Sequence, residues 1–325
     1  MRAAMLVGYG SLRIGEVEKP EPAEMDVLVR VHATSLNAVD WYGFTGRPWI
    51  ARPMMGIRKP RSGELGADFA GVVEAVGPRV ERLAPGDEVY GHRSGALAEY
   101  VLASDAVVRK PANLSFEEAA AVPVAALTAL QGLRDHAKVR SGQRVLVNGA
   151  SGGVGTFAVQ IAKALGATVD AVCSTPNVVQ ARELGADRVF DYTREDFTRG
   201  GARYDVLFDV AGSRSWRAMR RVVAPGGTVV LVGGPRGRLL GPLGHVARVK
   251  LAPKSRGRRA VFFIADPGFD DLVALRDLIE AGEVKPVVEH RYGLAQIDDA
   301  MRRIGTGHAH AKLVVSVDGG SAGAG

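Results

Sequence analysis

Cysteine is almost absent: Cys173 stands alone among 325 residues. One thiol excludes an intramolecular disulfide and any zinc site built on clustered thiolates. Long apolar runs are missing too. The longest, 119–130, has twelve residues and contains Pro123, well short of the ~18 a membrane span needs. The opening Met1-Arg2-Ala3-Ala4-Met5-Leu6-Val7 has neither a long apolar region nor a small-residue cleavage site. A cytoplasmic protein without an export signal is therefore expected. Aromatic residues make up only 6%. Acids are missing from one stretch: between Asp209 and Asp266 there is no Asp or Glu, against twelve Arg or Lys. Such a stretch attracts an anionic ligand, such as a nucleotide phosphate, a thioester carrier or nucleic acid. Few aromatics interleave with it beyond Trp216, Phe262 and Phe263, which argues against nucleic acid as the partner. A solvated face coloured by an arginine-rich composition (33 Arg, nine Lys) is the plainer alternative.

What is present fits a globular protein: 46% apolar residues, 24% charged and a net charge of +7. The length exceeds the roughly 250–300 residues at which one core stops growing, so two lobes are expected. Residues 1–110 read as β-rich, with short runs at 3–7, 27–33, 69–76, 88–91 and 98–102 between Gly and Pro breakers. Ser115-Phe116-Glu117-Glu118 is a capping box that opens a helix over 119–136. From Arg144 onward strands (144–148, 167–173, 188–191, 204–210, 228–232) alternate with helices (153–165, 178–184, 215–223). That alternation predicts an α/β fold with a doubly wound parallel sheet. Residues 235–259 are basic, rich in Gly and Pro, and ambiguous. A strand at 260–265, helices at 270–281 and 296–304, and a strand at 312–317 follow. Residues 318–325 are expected to be a frayed tail.

The strongest motif is Val145-Leu146-Val147-Asn148-Gly149-Ala150-Ser151-Gly152-Gly153-Val154-Gly155. An apolar strand runs into a glycine-dense turn and then a helix. A pyrophosphate accepts hydrogen bonds from backbone N–H groups at such a helix start, and any Cβ there would hold it away. Ala150 replaces the first glycine of the usual G-x-G-x-x-G pattern, yet the strand–turn–helix context supports dinucleotide binding. An NAD reader places an acid near the end of the next strand. Asp170 falls mid-strand instead, and the tip Cys173-Ser174-Thr175-Pro176-Asn177 carries hydroxyls and no acid. NADPH is the expected cofactor.

At this point the sequence resembles a family. Asn148 to Gln160, Ser35-Leu36-Asn37-Ala38-Val39-Asp40, Leu65 to Val73, Pro85 to Gly91, Pro225-Gly226-Gly227 and Gly307 to Lys312 together resemble the zinc-independent, quinone-oxidoreductase-like branch of the medium-chain dehydrogenase/reductase superfamily. The resemblance implies a GroES-like β-barrel domain over 1–121, a Rossmann domain over 122–259 and a return segment over 260–317 completing the barrel domain. It implies a cleft holding nicotinamide and substrate, and a homodimer paired through Rossmann edge strands, with 228–232 as the compatible edge. By the same resemblance Ser151, Gly152, Gly153 and Val154 hold the pyrophosphate, and Ser174 lies near the 2′-phosphate. Tyr192 stacks near the adenine. Val232, Gly233, Phe262, Phe263 and Ile264 flank the nicotinamide, and Thr128 is a further cofactor-side candidate.

Zinc-dependent relatives carry Cys, His and Glu where this chain has Asn37, Ala67 and Asp68, so no metal is expected. Ser151 resembles no nucleophile elbow, and Cys173 reads as a buried strand residue. Hydride transfer to an acceptor that is easily reduced without a Lewis acid remains, and a quinone or α,β-unsaturated carbonyl qualifies. Asn37 and Tyr42 are the catalytic candidates, Asn37 to hydrogen-bond a carbonyl oxygen or the nicotinamide ribose and Tyr42 to orient or protonate the reduced substrate; Asp40 reads mainly as a cap. An enoyl-thioester reductase, its carrier phosphate held by the basic stretch 236–259, is the second reading. A nucleotide- or RNA-binding, redox-responsive protein is the third.

Overall fold

The computed structural model describes residues 1–235, 237–252 and 256–317, so the expected tail 318–325 lies outside the described residues. The chain divides into two compact units. One comprises Met1–Leu127, Asp266–Ala281 and the chain from Pro286 onward; the other comprises Thr128–Ala265 and Gly282–Lys285. The division falls six residues later than the boundary expected after Ala121.

In the first unit, β1 (Arg2–Gly8) and β2 (Ser11–Glu16) form an antiparallel hairpin. β3 (Val27–Leu36) leads into α1 (Ala38–Thr45) and, further on, α2 (Arg52–Met55). β4 (Asp68–Val76), β5 (Glu88–His92), β6 (Tyr100–Ala103) and β7 (Val107–Arg109) complete its early strands. The capping box forms as expected: Glu118 N donates to Ser115 Oγ at 3.2 Å and Ser115 N to Glu118 Oε2 at 2.9 Å. The helix it opens is split into α3 (Phe116–Ala120) and α4 (Pro123–Gln131), because Pro123 has no N–H to continue the ladder.

The second unit is a parallel sheet. Its strands are β8 (Arg144–Asn148), β9 (Thr168–Cys173), β10 (Arg188–Asp191), β11 (Tyr204–Asp209), β12 (Val223–Leu231) and β13 (Arg259–Phe262). They lie in the order β10-β9-β8-β11-β12-β13, which is the doubly wound order with its switch point between β8 and β11. Its helices are α5 (Gly153–Ala164), α6 (Val178–Glu183), α7 (Trp216–Met219) and α8 (Gly241–Leu251). α5 holds Phe157 and Ile161 at no exposure, and each such side chain contributes about 1.5–3 kcal/mol of burial.

Three expectations are corrected in this unit. The helix expected over 215–223 stops at Met219, because Val223 already pairs with Tyr204 as the start of β12. The strand expected at 260–265 does not begin the return segment: it is β13, paired in parallel with β12. That pairing also makes β13 the outer strand, so 228–232 is not the sheet edge.

The chain then returns to the first unit through α9 (Phe269–Glu280), β14 (Val288–Gly293), α10 (Ile297–Gly305) and β15 (Lys312–Ser316). The resulting sheet runs β14-β15-β3-β4-β5-β7, with β6 also on β3. β15 lies antiparallel to β3 with Leu313 opposite Leu36, which brings Lys312 to the start of α1. Among the described residues no helix is long and apolar enough to cross a membrane.

Candidate active site

The carboxyl edge of the parallel sheet collects most of the expected cofactor residues. β8 ends at Asn148 and turns through Gly149, whose φ is +94°, into Gly152 at the N-cap of α5. A Cβ on Gly155 would sit 2.0 Å from Gly149 O, so only glycine lets the helix approach its own turn. A Cβ on Gly152 would meet nothing nearer than Gly149 O at 3.8 Å. The space in front of this helix start is open, and a side chain would fill it. Ser151, Gly152, Gly153 and Val154 are all half-buried along that opening. The donors and the helix dipole suit a diphosphate, so the residues present fit a dinucleotide.

Ser174 follows the end of β9, where its Oγ accepts from Asn177 Nδ2 at 2.9 Å. Tyr192 follows β10 and is half exposed, its N–H bonded to Cys173 O. Val232 and Gly233 follow β12, and Phe262 to Ile264 close β13 with Ile264 largely exposed. The Phe263 ring packs on His136 at 4.2 Å. Thr128, half-buried on α4, opens the second unit rather than following one of its strands.

Asp170 is buried in mid-strand and accepts from the Tyr204 hydroxyl at 2.6 Å, away from the strand end. The expectation of an acid-free tip needs correction, however. Asp191, from the end of β10, accepts from Thr175 Oγ1 at 2.5 Å and from Thr193 Oγ1 at 2.7 Å. These hydroxyls hold its carboxyl below the usual range, so it stands ionised beside the β9 tip. The neighbouring Cys173 is inert: burial pushes its thiol up to about 11.

At the switch point Asp209, fully buried, accepts from Asn148 Nδ2 at 2.7 Å and from Gly212 N at 3.0 Å. Its other oxygen lies 3.3 Å from His245 Nε2 on α8. Next to this edge a cavity of about 890 Å³ is rimmed by Arg214, Arg217, Arg220, Arg238 and Arg248, with His245 in its wall and no acid in its lining. Described residues of the acid-free stretch, between Gly212 and Ala252, therefore line a concave basic surface.

The first unit gathers a second set of polar groups. Asn37 precedes α1, and Asp40 caps that helix by accepting from Asn37 N at 2.7 Å. Asp40 also accepts from Gly66 N, and burial pushes it up to about 6. Asn37 Nδ2 donates to Asp68 Oδ2 at 2.8 Å, and Ser35 Oγ donates to the same oxygen at 2.8 Å. Lys312 Nζ lies 2.6 Å from Asn37 Oδ1 and 3.2 Å from Asp68 Oδ2, with Lys312 2% and Asp68 0% exposed. Burial alone would raise Asp68, but the Lys312 ammonium and its other donors hold it down at about 2. His92 Nδ1 is buried 3.8 Å from Asp68 Oδ1, too far for a hydrogen bond. Tyr42 lies on α1, half-buried, with Trp41 edge-on at 5.5 Å.

This cluster does not fit zinc. Asn37 and Ala67 supply neither thiolate nor imidazole, and an ammonium already occupies the shared side of Asn37 and Asp68. Among the described residues no three His, Cys, Asp or Glu side chains group as a metal site. Lys312, Ser35 and His92 were missed as site residues from sequence. A lone lysine opening an apolar closing strand was the available signal, since a buried charge needs a partner.

Two family models match: the alcohol dehydrogenase GroES-like domain over residues 23–112 and a zinc-binding dehydrogenase over residues 184–315, a span that excludes positions 37, 67 and 68. The chain is 34% identical to the NADPH-dependent alkenal/one oxidoreductase, chloroplastic, of Arabidopsis thaliana, over 97% of this chain and 79% of that one. It superposes on the quinone oxidoreductase from Coxiella burnetii with a TM-score of 0.85 and 30% identity, covering 98% and 99% of the two chains. The CurK enoyl reductase gives a TM-score of 0.83 at 26% identity, over 97% and 98%. With the GroES-like and Rossmann units both in place and relatives matched over 79% and 99% of their length, the chain belongs to the quinone-oxidoreductase-like branch of the medium-chain dehydrogenase/reductase superfamily.

Proposed function

We propose that this protein is a zinc-independent, NADPH-dependent reductase of quinones or α,β-unsaturated carbonyls. The observation that carries the reading is the open, glycine-lined start of α5 at the switch point of a doubly wound sheet. Ser151, Gly152, Gly153 and Val154 would hold the diphosphate there. Ser174 would take the 2′-phosphate, and Tyr192 would stack at the adenine end. Val232, Gly233 and residues 262–264 would border the nicotinamide, with Thr128 on the same unit. When bound, the reduced nicotinamide supplies a hydride. The protein's part is to align the acceptor, to hydrogen-bond its carbonyl oxygen through Asn37, and to supply a proton from Tyr42. An acceptor that is already electron-poor needs no Lewis acid, which agrees with a cluster that has no place for a divalent ion. A cytoplasmic location and a homodimer paired through Rossmann edge strands belong to the same proposal, and β13 is an outer strand of that sheet.

A screen of small quinones and enones for NADPH-dependent reduction tests this reading. Turnover of at least one class, with NADPH giving the higher kcat/KM than NADH, is the expected result. No turnover of either class by protein that binds NADPH would refute it.

The arginine-rimmed cavity favours one alternative, reduction of an enoyl thioester whose carrier phosphate sits among Arg217, Arg220 and Arg248. The likeness to the CurK enoyl reductase supports it. Crotonyl-CoA reduced faster than crotonaldehyde would favour the thioester, and the reverse order the free carbonyl compound.

A further inference from the structure

Asn37 is an amide whose two ends are fixed by groups that leave it no choice. The Lys312 ammonium can only donate, so the atom 2.6 Å from it must be the Asn37 oxygen. The Asp68 carboxylate, ionised beside that ammonium, can only accept, so the atom 2.8 Å from it must be the Asn37 nitrogen. The amide cannot flip without facing ammonium with NH₂ and carboxylate with C=O. One hydrogen of Nδ2 is spent on Asp68, and the second has no partner among the described residues. Asn37 itself is only 8% exposed.

The ammonium arrives from 275 residues away along the chain, on β15, and β15 is registered against β3 so that Lys312 reaches the start of α1. Ser35 Oγ and Val124 N, at 2.8 and 3.0 Å, supply further donors to Asp68, and the cluster is closed around one lysine. A buried lysine is costly unless it is paired, so this arrangement holds its geometry tightly.

We propose that Lys312 is the positioning residue of the acceptor site. Its ammonium takes the place between positions 37 and 68 that a metal would need, and by capturing Asn37 Oδ1 it leaves the amide able only to donate to the acceptor's carbonyl oxygen. The activity arms rest on the reductase reading above; the metal arm does not.

Lys312→Met removes the charge at similar length. With NADPH saturating, kcat for a weakly electrophilic enone should fall roughly tenfold to a hundredfold, less than the roughly hundredfold to thousandfold that outright loss of an oxyanion donor costs, because Asn37 remains and only its orientation is released. The Kd for NADPH should stay unchanged. A strongly oxidising quinone, which depends less on that donor, should lose much less. An equal loss for both acceptors, or no loss, would overturn the proposal. Should Lys312→Met alone fail to fold, Lys312→Met with Asp68→Asn removes both charges and must reproduce the same selective loss. For the metal arm, Co²⁺ is titrated into Asn37→Cys/Ala67→His protein, with and without Lys312→Met. A visible cobalt band confined to the variant lacking the lysine supports the proposal. Binding regardless of Lys312, or in neither protein, overturns it. If wild-type protein reduces neither acceptor, the reductase reading fails while the cobalt result still stands.

Discussion

At the scale of single residues, two glycines three positions apart have opposite requirements. Gly155→Ala would drive a Cβ to 2.0 Å from Gly149 O and should cost about 1–3 kcal/mol of stability. Gly152→Ala has room and should cost less than about 1 kcal/mol, yet it should weaken NADPH binding about tenfold or more because its methyl would fill the space proposed for the diphosphate. Denaturant unfolding and a fluorescence titration on both variants separate the effects. For catalysis, Asn37→Ala should lower acceptor turnover about a hundredfold to a thousandfold, and Tyr42→Phe should lower it as well. Steady-state rates unchanged in both would remove these residues from the mechanism. Asp40 makes a prediction about pH. Its folded pKa, about 6, lies above the ordinary 3.8, so the folded state holds the proton more tightly. That contribution is complete below about pH 4 and is lost as pH rises through 6, a decline of about 2–3 kcal/mol. Asp68, down at about 2, has the opposite sign: its contribution is present above about pH 4 and is lost towards pH 2. Asp40→Asn should flatten the decline between pH 4 and 6 and leave the acid limb in place, as measured by urea unfolding across pH.

Among the elements, the tip shared by β9 and β10 is where the proposed 2′-phosphate would lie. Asp191 brings a negative charge to hydroxyls that would otherwise be free to donate. Asp191→Asn should raise the NADPH-to-NADH ratio of kcat/KM about fivefold, the worth of one charge at close range in a solvated tip. A ratio that does not change would place the phosphate elsewhere. Sequence could not supply this contact, since Thr175 and Asp191 meet only because β9 and β10 are neighbours in register. Local signals fared better: Ser115 and Glu118 announced their capping box, and Val145 to Gly155 announced strand, turn and helix. Where propensity competed with long-range pairing, pairing won. Val223 looks like the end of a helix but is held by Tyr204 as strand, and α8 forms within 235–259, a stretch whose glycines and prolines conceal its helical spacing.

For the whole molecule, the alternation after Arg144 was enough to read a doubly wound sheet, and the spaced short strands before it a β-rich unit. Strand order was not legible, because β13 joins the sheet edge after about thirty residues of basic sequence that carry no periodic signal. Nor was the Lys312 cluster, which needs the closing strand to return beside β3. Motif spacing thus announced the glycine-rich start of α5 far better than the cluster of Asn37, Asp68 and Lys312. The most direct test of the account is the rate of NADPH oxidation by chelator-dialysed protein given a small quinone or an enone. The account expects steady turnover that neither EDTA nor added zinc alters. Turnover that appears only when zinc is restored would contradict it.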